Sequence, residues 1–137
     1  MKHLLSTHKL YATIFIGVVI ASLGRIPLGT FNNASPLDTF SHFILPATGA
    51  PLVVVYLATR DVVRMHNRLA FVFITVLLGT SVEAIWEIEE FIIDALFTLQ
   101  WQLGNTDTMI DVILAVAGSA VGAIIFTKIY KEYTNEK

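Results

Sequence analysis

LAFVFITVLLGTSVEAIWEIEEFIIDALF, residues 69–97, decides how the rest of this chain is read. Leu69 to Val82 carries no charged side chain, and the remainder holds Glu83, Glu87, Glu89, Glu90 and Asp94. A helix that crosses a bilayer needs about 20 mostly apolar residues, so this stretch crosses one and projects beyond it. At about 100° per residue, Glu83, Glu87, Glu90 and Asp94 stay within about 60° of one another, while Glu89 points about 120° away. At about 1.5 Å per residue from Leu69, Glu83 and Glu87 lie about 21 Å and 27 Å along the axis, inside a hydrocarbon core about 30 Å thick. Asp94, roughly 37 Å along, lies outside it. An ionisable side chain in that core costs roughly 2.5–3.5 kcal/mol on insertion scales. A solvated helix end accounts for Asp94 and Glu89, whereas Glu83 and Glu87 require a partner or a ligand.

Three other apolar runs flank this one. Leu10 to Leu28 is broken by Arg25, Phe40 to Thr59 contains only His42 as a group that titrates near neutral pH, and Met109 to Tyr130 contains Asp111 and Lys128. The expected fold is all-α: a single domain over residues 1–137, an integral membrane bundle of four transmembrane helices at about 10–28, 40–59, 69–97 and 107–130. Composition agrees, with 55% hydrophobic residues, 15% charged and a mean hydropathy of +0.68, against about 45–50% and 25% in soluble domains. The absence of cysteine excludes a disulfide framework, a thiolate zinc site and a cysteine nucleophile. No basic patch exceeds three residues, so nucleic acid is not an expected partner. No G-x-S-x-G, Walker loop, H-E-x-x-H or dinucleotide fingerprint is present, which sets aside serine hydrolases, NTPases, zincins and dehydrogenases.

Lysine and arginine orient the bundle. Lys2 and Lys9 precede the first run, Arg60, Arg64 and Arg68 separate the second from the third, and Lys128, Lys131 and Lys137 end the chain. Arg25 alone falls on the other side, so both termini are expected in the cytoplasm. A second reading of the first run is a cleaved signal peptide, with Lys2 and Lys9 as its basic head and Val19-Ile20-Ala21 at its cleavage site.

On the side away from the basic loops the polar residues gather at one depth: Arg25, Asp38 and His42, the glutamates of the third run, and Asp107 and Asp111. Singly, Asp38 reads as a helix cap, Asn105-Thr-Asp107 as another, and His42 as a hydrogen-bonded interfacial histidine. Together they suggest one site. With Asp94 counted, eight acids against Arg25 cannot all be bare and ionised, so either protons are shared or divalent cations neutralise them. Oxygen ligands suit Mg²⁺, Ca²⁺ or Mn²⁺, and His42 also admits zinc or iron. The expected metal ligands are His42, Glu83, Glu87, Glu90, Asp107 and Asp111. Glu83, Glu87 and Asp111 are the expected catalytic groups, with Arg25 and Asn105 as substrate contacts.

Asp38-Thr-Phe-Ser-His42-Phe43, the glutamate-laden helix with Trp86, and Gly104-Asn105-Thr-Asp107-Thr108-Met109-Ile-Asp111 before a glycine-bearing span resemble the YjdF family of small inner-membrane proteins, and more distantly the VanZ-like proteins. The resemblance covers about residues 36–125 and implies a prokaryotic cell membrane. It supplies no reaction.

Gly118 and Gly122 share a face with Asp111 and permit close helix approach. That approach serves either a homodimer or packing within the chain against Gly79. The glutamate stripe extends downward to Gly79, Val76 and Val72. Trp86, Trp101, Phe91 and Phe97 read as an interfacial belt. Three functions fit: a metal-dependent enzyme acting on a lipid-linked phosphate, a cation or proton transporter, and a structural membrane protein whose site only holds its helices together. Membrane lipids are partners in each.

Overall fold

In the computed structural model the described residues are 36–64, 67–97 and 102–135, with two isolated positions, Ala12 and Ile16. They form three helices and no strand: α1 (Pro36–Thr59), α2 (Arg68–Phe97) and α3 (Asn105–Asn135).

Each boundary has a local cause. Pro36 opens α1, where a missing N–H costs nothing, and Asp38 in the first turn complements the helix dipole. The helix stops in a Schellman arrangement. Asp61 takes φ 57°, its N–H donates to the Ala58 carbonyl at 3.2 Å, and the Val62 N–H donates to Leu57 at 3.0 Å. Asn67 caps α2 by accepting from the Ala70 N–H at 2.8 Å. Gly104, at φ 114°, turns the chain into α3 through a conformation that side chains resist. Its carbonyl accepts from Asp107 and Thr108 at 3.1 and 3.3 Å.

The expectation of four transmembrane helices is corrected. Among the described residues three helices are long and apolar enough to cross a membrane, with spans Asp38–Ala58, Arg68–Phe97 and Asn105–Lys128. The first apolar run, about 10–28, lies outside the described residues apart from Ala12 and Ile16, and the side expected for the N-terminus depended on it. Within the described residues, α1, α2 and α3 pack on one another.

The tightest seam joins α1 to α3 and the loosest joins α1 to α2. A Cβ at Gly118 would collide with the Phe43 carbonyl, and one at Gly122 with that of Ala47. Both glycines therefore face α1. Gly79 on α2 instead receives Ser119. The buried stripe of α2 runs Phe71, Thr75, Gly79, Glu83, Glu87, Glu90, so its lower end uses Phe71 and Thr75, with Val72 and Val76 only half-buried. Steps of four residues advance about 40° round the axis, so the interior face winds about the helix. At the end near the 60–68 loop, Val54, Phe71, Ala123 and Phe126 form an apolar cluster, with the Phe71 and Phe126 rings 5.8 Å apart.

Candidate metal centre

Because α2 runs antiparallel to its neighbours, the first turns of α1 and α3 lie beside the acidic half of α2. His42 on α1, Glu83, Glu87 and Glu90 on α2, and Asp111 on α3 are all buried, none more than 7% exposed. The helical period turns the glutamates inward, and the order of the helices brings His42 and Asp111 to meet them.

Imidazole is the hub. His42 Nδ1 donates to Glu83 Oε1 at 2.5 Å. Its Nε2 lies 3.7 Å from Asp38 Oδ1 and 4.0 Å from Asp111 Oδ2. One ligand atom from each of His42, Glu83 and Glu87 falls within 4.8 Å of the others. Metal–ligand bonds of about 2.0–2.6 Å let one ion reach atoms separated by that much.

Glu87 is the least satisfied member of this arrangement. Its Oε1 is buried and has no hydrogen-bond partner among the described residues. The carboxylate is held from one side by the Thr108 side chain, and Thr108 Oγ1 accepts from Gln102 Nε2 at 3.1 Å. Glu90 is held differently, its Oε1 accepting from Trp86 Nε1 at 2.9 Å.

The structure therefore brings His42, Glu83 and Glu87 together, with Asp111 beside them. Asp107 is half-buried in the first turn of α3, close enough to act electrostatically on both Glu87 and Asp111. Asn105 is exposed at the start of α3. Arg25 lies outside the described residues. Glu89 is exposed, and Asp94 accepts from the Gln102 N–H at 2.8 Å.

Four participants were not among the expected ligands or contacts. Asp38 stands one helical turn before His42, a spacing visible in the sequence. Trp86, read as part of an interfacial belt, is half-buried and spends its N–H on Glu90, again at i, i+4. Thr108 and Gln102 gave no sequence signal, because only the turn between α2 and α3 carries them to Glu87.

Nitrogen plus several carboxylates is a donor set for zinc, manganese, iron or magnesium. Beneath the centre, Ser119 and Thr75 are fully buried, and the Val54, Phe71, Ala123 and Phe126 cluster closes the interior below them. The site is thus approached from the end away from the 60–68 loop. No curated protein and no solved structure matches the chain. Residues 2–132 match the family model described as predicted membrane protein DUF2238, a broader description than the YjdF or VanZ-like resemblance, and the chain belongs to that family of membrane proteins.

Proposed function

We propose that His42, Glu83 and Glu87, with Asp111 alongside, bind a divalent cation and that this membrane protein uses it to act on a phosphate-bearing lipid at the outer face of a prokaryotic cell membrane. The carrying observation is Glu87 Oε1, buried without a partner and grouped with a carboxylate and an imidazole. Leaving a buried acceptor unsatisfied costs about 1–3 kcal/mol, and more when it is charged. A cation shared with His42 and Glu83 offsets that cost and the mutual repulsion of the carboxylates. When bound, such an ion polarises a phosphoryl oxygen or activates a water molecule. Glu83 orients the imidazole through Nδ1, and Asp111 stands where it can hold a proton near Nε2. The 60–68 loop, carrying Arg60, Arg64 and Arg68, belongs in the cytoplasm by the positive-inside rule.

A second reading is structural. Both nitrogens of His42 face carboxylates on three helices, so a charged imidazole alone can tie the bundle together. Transport is favoured less, since the apolar cluster blocks the interior beneath the site. Elemental analysis of protein purified without chelator decides between the first two. Stoichiometric metal in the parent, lost in a folded Glu87→Gln, supports the cation reading. No metal after reloading with Mg²⁺, Mn²⁺ or Zn²⁺ overturns it.

A further inference from the structure

Between α1 and α2 lies a cavity of about 250 Å³. Leu45, Ala50 and Val53 line one wall, Leu78 and Val82 the other, and His42, Glu83 and Trp86 form its polar end. Pro46 and Gly79 also border it. Helix α1 carries two internal prolines, which weaken the backbone ladder where the seam is loose. Val53 and Val82 at its margins are 44% and 55% exposed. Both walls belong to the membrane spans, so among the described residues this opening faces the hydrocarbon side.

We infer that the groove holds one acyl chain of a membrane phospholipid, with the phosphate headgroup turned toward His42 and Glu83. In a bilayer the solvent is lipid, so an apolar groove open sideways fills with hydrocarbon rather than water. From Ser41 to Val53 the groove runs about 18 Å at 1.5 Å per residue. That matches one leaflet, half of a core about 30 Å thick, and suits an acyl chain better than a long polyisoprenoid. The polar end lies where a headgroup belongs. An anionic head would be repelled by Glu83, Glu87 and Asp111 alone, so its placement rests on the cation reading; the chain's placement rests on the groove.

Trp86 lines the groove and provides the probe. In a Trp101→Phe chain it is the sole tryptophan. Phosphatidylglycerol brominated along its acyl chain, titrated into this protein in detergent micelles, should remove roughly half of the fluorescence in a saturable, stoichiometric manner. Ala50→Phe and Leu78→Phe, which fill the groove from opposite walls, should each abolish saturation, so that misfolding of one leaves the other to report. Quenching that rises in proportion to bromolipid, equally in the parent and both filled variants, overturns the inference. Stronger competition by a polyprenyl phosphate than by unbrominated phosphatidylglycerol overturns the acyl assignment. The Trp101→Phe chain with Glu87 intact separates the two proposals: saturable quenching with no metal bound after reloading supports the groove while the cation reading fails, whereas stoichiometric metal without saturable quenching overturns the groove alone.

Discussion

The carbonyl oxygen of Ala47 on α1 lies directly against Gly122 on α3, in space that a Cβ at 122 would need. Pro51, four residues after Ala47, has no N–H to donate to that carbonyl. The proline frees the oxygen and the glycine lets a neighbouring backbone approach it, an arrangement suited to a weak Cα–H···O contact. One turn above, Gly118 meets the Phe43 carbonyl in the same way. This seam holds α1 and α3 in register and so sets His42 beside Asp111.

Gly122→Ala should therefore be costly. The added methyl meets backbone, which cannot swing aside, and overpacking of this kind costs about 1–3 kcal/mol. Thermal unfolding in detergent should shift down for Gly122→Ala and Gly118→Ala, and barely for Val121→Ala on the exposed face. Equal stability of Gly122→Ala and the parent would mean the seam is looser than described.

Phe71 and Phe126 should couple. Their rings pack as a tilted pair within the buried cluster. Each change to alanine should destabilise by roughly 3–5 kcal/mol at most, since lipid partly replaces lost protein contacts. A double-mutant cycle should return about 0.5–1.5 kcal/mol of interaction. Strict additivity of the two losses would contradict the contact.

Metal affinity should weaken as pH falls from about 8 to about 5, because protons compete for the same lone pairs on imidazole and carboxylate. Calorimetric titration with Mn²⁺ or Zn²⁺ measures this. Glu83→Gln and Glu87→Gln should abolish binding, and exposed Glu89→Gln should leave it unchanged. Binding independent of pH would place the ion elsewhere.

Residues that hold the carboxylates should matter almost as much as the carboxylates. Trp86→Phe removes the donor to Glu90, and Thr108→Val removes the hydroxyl that steadies Glu87. Losses of about 10–100-fold in metal affinity, with unchanged helicity, are expected. Full affinity in both variants would show that Glu87 and Glu90 position themselves unaided.

The α1–α2 loop and the C-terminal end of α3 should share one side of the membrane, with the α2–α3 turn on the other. The chain has no cysteine, so single cysteines at Val62 and Leu103, both exposed, report independently to an impermeant maleimide. Leu103 should label from outside and Val62 only after permeabilisation. Labelling of both from one side would break the three-span arrangement.

Helical period and apolar length are local properties, and they account for what the residues alone determined. Residues 40–59, 69–97 and 107–130 were readable as helices because each run is long and apolar. Glu83, Glu87 and Glu90 were readable as one face because a helix advances about 100° per residue. His42 and Asp111 could be assigned to the same layer because alternating helices bring their heads to one side. Tertiary structure alone decided that Gly118 and Gly122 face α1 while Gly79 faces Ser119, and that Phe71 and Thr75, not Val72 and Val76, continue the buried stripe. It also decided that Trp86 serves Glu90 and that Thr108 reaches Glu87. The physical reason is common to these: lipid is as apolar as a protein interior, so hydropathy marks which residues lie in the membrane but not which way each apolar or small residue turns. Only the neighbouring helix sets that angle, and with it which carboxylate oxygen is left without a partner.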